Sequence, residues 1–150
     1  MIREAIPSDI PRMVDLGRVM HAESPRFSRM AFDGDRAAAT IARLIDMPEG
    51  FAWVYEDADG QVVGGLLGLV MPQWFSHELT ACDIALFIEP AHRGSMAAVR
   101  LVNTYRAWAH DQGVEPGMVQ IGILTGVEVE GTERLLQRLG WQRAGLVMEA

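Results

Sequence analysis

The stretch IALFIEPAHRGSMAAVRLVNTYRAWA, residues 84–109, restricts the possible folds more than any other part of the chain. An apolar run from Leu79 to Ile88 reads as a strand and stops at Glu89-Pro90, because proline cannot continue a central strand. From Ser95 to Gln112 the residues Ala98, Leu101, Val102, Tyr105, Trp108 and Ala109 recur at helical spacing, and Gly113 ends the run. A buried strand that turns directly into a long amphipathic helix belongs to an α/β chain. Turns of this kind bind anions, since the first N–H groups of a helix lack intrahelical acceptors and the peptide dipoles place positive charge there. Arg93 adds a full charge, Gly94 opens φ angles denied to other residues, and Ser95, Ala97 and Ala98 are small enough for a phosphate to approach the backbone. A pyrophosphate fits such a turn.

The remaining elements fall in line around this unit. Ile2 to Ala5 reads as a short strand, and Pro7-Ser8-Asp9 as a helix start capped by Ser8 or Asp9, with Ile10, Met13, Val14, Gly17 and Met20 forming one buried face. After the loop HAESPRFSRMAFDGD a second helix runs from about Asp35 to Asp46. Phe51 to Glu56 and Gln61 to Met71 are antiparallel strands joined at Asp57-Ala58-Asp59-Gly60, whose Asp-Gly is a strong hairpin signal. Downstream, Met118 to Leu124 reads as a strand, Gly131 to Leu139 as a short helix closed by Gly140, and Trp141 to Met148 as a last strand. The order is βααβββαβαβ. No repeat, low-complexity tract or linker divides it, so residues 1–150 form one domain.

Composition removes several function classes. All thirteen basic residues are Arg, which excludes Schiff-base chemistry and a Walker-type P-loop, both of which need lysine. The net charge of -7 opposes a nucleic-acid partner, whose binding rests on clustered cations. None of His21, His77, His92 and His110 pair at the spacing of a helical zinc site, so no metal is expected. No apolar run reaches membrane-spanning length, and MIREAIPSDI has charges where a signal peptide needs an apolar stretch. With a lone Cys82 that fits a reducing compartment, a cytoplasmic protein is expected.

The order of elements together with PAHRGSMAA resembles the acyl-CoA-binding turn of the GNAT superfamily, whose pattern is Arg/Gln-x-x-Gly-x-Gly/Ala. Arg93 and Ala98 match the ends of that pattern, and Met96 stands where its central glycine belongs. In TERLLQRLGWQRAG, Leu135 and Gly140-Trp141 fit the family's following helix and strand, while Leu136 takes the place of a tyrosine that commonly protonates the departing CoA thiolate. The resemblance spans nearly all of the chain. It implies an α+β variant of the α/β class: a mixed, mostly antiparallel central sheet with helices on both faces. It also implies acetyl-CoA as co-substrate, held by Arg93, Gly94, Ser95, Met96, Ala97 and Ala98, with the pantetheine arm against the backbone of Leu86, Phe87 and Ile88.

Acyl transfer to an amine needs a proton acceptor. The family often places one on the third long strand, nine or eleven residues before the arginine, where this chain has Ile84 and Cys82. Asp83 lies between them and is the first candidate base, because a β-bulge would reverse its facing; its alternative is a bond to neighbouring backbone. Glu78 and His77 are candidates acting through a water, or else solvated loop residues. By the resemblance, His21, Glu23 and Phe27 after the first helix, and Trp74 and Phe75 before the third long strand, line the acceptor site; exposed aromatics beside carboxylates suit a cationic amine. Trp74 and Phe75 equally suit the core edge or a dimer contact.

Three readings follow. The first is an N-acetyltransferase acting by direct attack on a small-molecule or peptide amine, with a homodimer by family analogy. The second is a CoA-binding or protein-interaction module, which Leu136 and Met96 favour. The third, a nucleic-acid-modifying transferase, is opposed by the acidic charge.

Overall fold

The computed structural model describes all of residues 1–150. Its elements are β1 (Ile2–Glu4), α1 (Ile10–Glu23), α2 (Gly34–Asp46), β2 (Gly50–Glu56), β3 (Val62–Pro72), β4 (Leu79–Ile88), α3 (Ala97–Asp111), β5 (Val119–Gln120) and α4 (Val129–Arg138). The five strands form one sheet in the order β1-β2-β3-β4-β5, antiparallel throughout except for the parallel pair β4 and β5. No helix is long and apolar enough to cross a membrane.

Period-two alternation in β2 and β3 supplies two cores. Ala52, Val54, Val62 and Leu67 face α1 and α2, where Met13, Val14, Leu16, Ile41 and Leu44 close over them. Phe51, Leu66 and Val70 face α3 and α4, meeting Leu101, Val102, Tyr105, Ala109 and Leu136. Helices therefore cover both faces of the sheet, as the family resemblance implies. The β2–β3 turn forms where Asp57-Ala58-Asp59-Gly60 predicts it: Asp57 Oδ1 accepts from the N–H groups of Asp59 and Gln61, each at 2.9 Å, and Gly60 takes φ 77°.

Two local expectations change. The start of α1 is not capped by a side chain; Asp9 instead accepts from Ile6 N at 2.9 Å and from both terminal nitrogens of Arg3, so its carboxylate ties the chain after β1 to the helix entry. Asp33 is the residue that caps, holding Arg36 N at 3.0 Å to open α2.

The predicted strand over 141–148 does not form, and the one over 118–124 shrinks to Val119–Gln120. Both changes have one cause. A strand needs a neighbour's backbone groups, and beyond Gln120 the chain parts from β4, so no extended edge is left for the last segment to join. Residues 142–150 lie exposed, with Leu146, Val147 and Met148 at 78%, 64% and 84% accessibility. Ion pairs Arg143–Glu133 and Arg26–Glu149 hold this tail to the body.

Candidate active site

The centre of the site is a break in the sheet. β4 and β5 pair only at Ala81–Val119 and Cys82–Gln120, after which the two chains diverge while β4 continues to Ile88. Glu89 N donates to Val63 O at 2.8 Å, so the preceding trans peptide turns the Ile88 carbonyl away from β3 and into the gap. By strand alternation Leu86 presents its N–H and C=O to the same side. A splayed edge of unpaired backbone groups is what an extended amide-bearing ligand needs.

At the end of that edge stands the turn. Pro90–His92 form one turn of 3-10 helix, Gly94 takes φ 79°, and α3 begins at Ala97. Ser95 Oγ accepts from Ala97 N at 3.2 Å. The N–H groups of Gly94, Met96, Ala98 and Val99 have no acceptor within the protein. A Cβ on Gly94 would meet nothing within 4 Å, so the turn is open to solvent. Arg93 donates from Nε to the Ile88 carbonyl at 3.3 Å and pairs through Nη2 with Glu23 at the end of α1. Met96 replaces a glycine of the family pattern but its side chain is exposed, at 53%, and leaves its own N–H free. Four free donors, one guanidinium and small side chains fit a diphosphate.

The middle of β4 carries a bulge. Leu67 faces Ala85 while Gly68 faces Asp83, leaving Ile84 without a partner. Facing switches across it: Leu79 and Ala81 pack toward α3 before the bulge, whereas Leu86 and Ile88 do so after it, with Ala85 and Phe87 turned toward α1 and α2. Asp83 belongs to the α3 side and its Oδ1 accepts from Gly122 N at 2.7 Å, across the point where β4 and β5 separate. Burial pushes the Asp83 carboxyl above the usual carboxylate range, opposed by the Gly122 N–H. Burial likewise raises the Cys82 thiol, with the neighbouring Asp83 adding to it. Tyr105, fully buried beneath Gly68, is raised further, by burial first and then by Asp83 and Cys82, and its hydroxyl is held on Gln120 O at 3.3 Å. That phenol neither gains nor loses a proton near neutral pH.

The remaining candidates divide between the two ends of β4. Glu23 and Phe27 sit at the Arg93 end, where Glu23 meets Arg93 and Phe27 N bonds to Ser24 Oγ at 3.0 Å. Trp74, Phe75, His77 and Glu78 lie in the loop before Leu79, roughly 30 Å of strand away at about 3.3 Å per residue. Trp74 and Phe75 stand edge to face at 5.3 Å, 92% and 69% exposed, beside an open depression of about 450 Å³. Their exposure takes them off the core edge. Glu78 is exposed and its N–H bonds to Ser76 Oγ at 3.1 Å. His21 bonds Met30 O at 2.8 Å and tilts against Phe32, which fixes the loop and leaves the gap untouched. Leu136, at the tyrosine position, is buried against α3, so α4 offers no hydroxyl there.

Sequence reasoning did not reach Gly122, Ser24 or Thr125. The buried Ser24 donates to the Thr125 carbonyl, and a Cβ on Gly126 would come within 2.9 Å of the Pro25 ring. These contacts join segments a hundred residues apart, and no local pattern encodes them.

Comparison with known proteins agrees with this architecture. Among solved structures the chain is similar to a transcriptional regulator from Bacillus halodurans C-125 (TM-score 0.77, 18% identity, covering 100% of this chain and 97% of that one). It is also similar to an aminoglycoside acetyltransferase from an uncultured soil metagenomic sample (0.71, 18%, 100% and 96%) and to an acetyltransferase of Trypanosoma brucei (0.73, 16%, 100% and 97%). At these identities the likeness is one of fold. No curated protein matches the sequence significantly. The profile of the acetyltransferase (GNAT) family matches residues 17–141, and with that span the chain belongs to the acetyltransferase (GNAT) family.

Proposed function

We propose that this protein transfers an acetyl group from acetyl-CoA to an amine. The observation that carries the reading is the course of the β4 edge: the unpaired backbone groups of Leu86 and the Ile88 N–H lead from the bulge at Ile84 to a turn with four unpaired N–H groups and Arg93, whose Nε holds the Ile88 carbonyl. Arg93, Gly94, Ser95, Met96, Ala97 and Ala98 would hold the diphosphate, and the backbone of Leu86 to Ile88 the pantetheine arm. Acetyl-CoA, when bound, supplies the activated acyl carbon. Asp83 then stands five residues upstream of Ile88, beside the divergence of the strands, and its carboxylate, made more basic by burial, is suited to take a proton from the ammonium so that the free amine attacks. Glu78 is too far along β4 for direct contact and would act only through solvent. Because Leu136 offers no proton, the thiolate leaves unassisted, which a thiol of ordinary pKa tolerates.

The acceptor is proposed to be a small cationic amine entering from the Trp74 and Phe75 side, where two exposed aromatic faces attract a cation. One solved relative by fold is named as an aminoglycoside acetyltransferase, which places aminoglycosides first on a panel with polyamines and peptide N-termini. A cytoplasmic setting and a homodimer go with this reading by family analogy.

Titration of the protein with acetyl-CoA by calorimetry, beside Arg93→Ala, tests it. Micromolar binding that the variant loses by tenfold or more is expected, followed by release of free CoA thiol with a panel amine. Absence of binding at millimolar acetyl-CoA sinks the reading. The buried Leu136 favours a second one, a CoA-binding module without turnover, which binding with no thiol release on the whole panel would establish.

A further inference from the structure

The chain leaving α1 crosses the open end of the gap between β4 and the segment after β5. On one wall the Glu23 carboxylate pairs with Arg93. On the other, the Ser24 hydroxyl donates to the Thr125 carbonyl and Pro25 packs against Gly126. Residues 23–25 thus strap together the two lips of the splay. Ser24 is completely buried in this crossing, and its Oγ also accepts from Phe27 N at 3.0 Å, so the strap is continuous with the turn over Phe27–Arg29.

Arg93 makes two bonds within the protein, from Nε to the Ile88 carbonyl and from Nη2 to Glu23. A diphosphate needs the same guanidinium, and its negative charge repels the carboxylate that already occupies it. We infer that Glu23 is an anionic latch on Arg93: in the free protein it holds the strap closed across the gap, and the diphosphate of the acyl carrier displaces it to enter. This rests on the reading of the Arg93 turn as the acetyl-CoA site. It gives Glu23 a task at the carrier end of β4, away from Trp74 and Phe75, and makes loading of the carrier the event that parts Glu23 from Arg93 while Ser24 and Pro25 stay fastened to Thr125 and Gly126.

Exposed ion pairs contribute up to about 1 kcal/mol, which corresponds to about fivefold in a dissociation constant. Glu23→Gln, and Glu23→Ala as a second variant, are therefore expected to bind acetyl-CoA about two- to fivefold more tightly than the wild type in calorimetric titration. Glu115→Gln, with the same change of net charge at the far end of α3, is expected to bind as the wild type does. On an Arg93→Ala background the Glu23 substitution is expected to bring no gain. Binding by Glu23→Gln that equals or falls below the wild type, while Arg93→Ala loses binding, overturns the latch and leaves the acetyl-CoA site standing. An equal gain in Glu115→Gln, or a gain that persists without Arg93, overturns it as a general charge effect. No binding by any variant at millimolar acetyl-CoA overturns the latch and the site together.

Discussion

Asp83 shows how one residue is tuned by what surrounds it. Its carboxyl is raised by burial, so the native state holds the proton more tightly than the unfolded chain. By linkage such a group costs stability in full above its folded pKa, and the cost fades as pH falls from there to the unfolded value. Asp83→Asn, which keeps an oxygen for Gly122 N, is therefore expected to melt at or above the wild-type temperature at neutral pH while turnover falls about a hundredfold. The acid limb of kcat/KM in the wild type is expected above the usual carboxylate range near 4. Unchanged turnover in the variant removes Asp83 from the chemistry. Asp9 has the opposite sign. Its hydrogen bond from Arg3 holds it below the usual range against the effect of burial, so it stabilises at neutral pH and that contribution is lost as pH falls from about 4 through the folded value. Asp9→Asn is expected to cost about 1–2 kcal/mol in urea unfolding at pH 7 and much less at pH 3. A cost independent of pH would show that the ion pair is not its source.

Among the elements, β4 carries both structure and site. Its bulge at Ile84 turns Asp83 to one side and Phe87 to the other, and Gly68 opposite Asp83 lets β3 approach Tyr105. A Cβ on Gly68 would lie 2.8 Å from Tyr105 Cε2 and 3.1 Å from the Cys82 carbonyl, a backbone atom that cannot swing aside. Gly68→Ala is expected to lose about 1–3 kcal/mol by overpacking, read as a drop in denaturation midpoint. Because the strain falls on the strand that would carry the acyl group, acetyl-CoA affinity is expected to weaken with it. Intact stability would show that Tyr105 relaxes freely.

For the whole molecule, two cores divided by one sheet leave the C-terminal segment outside both. Residues 142–150 are anchored by the Arg143–Glu133 and Arg26–Glu149 pairs, each of the kind that contributes at most about 1 kcal/mol. Truncation after Trp141, which packs against the α3 core, is expected to reduce stability by less than about 2 kcal/mol and to leave the circular dichroism spectrum in place. Collapse of the truncated chain would mean that the tail contributes packing in solution beyond those two pairs.

The sequence by itself determined what depends on neighbours within a turn or two. Leu79–Ile88 is a strand over the residues its apolar run marks, Asp57–Gly60 turns where its Asp-Gly signal stands, and the Arg93-Gly94 turn opens a helix, because proline, glycine and helical spacing act locally. Tertiary structure alone decided the rest. Apolar composition over 118–124 and 141–148 promised strands, but a ladder requires a partner backbone, and divergence at Gln120 removed it. The bulge became definite only when Gly68 paired with Asp83, and Arg93 met Glu23 only when a contact spanning seventy residues had closed. Contacts of that range follow from how the packed elements bring distant chain segments together, and no sequence window records it.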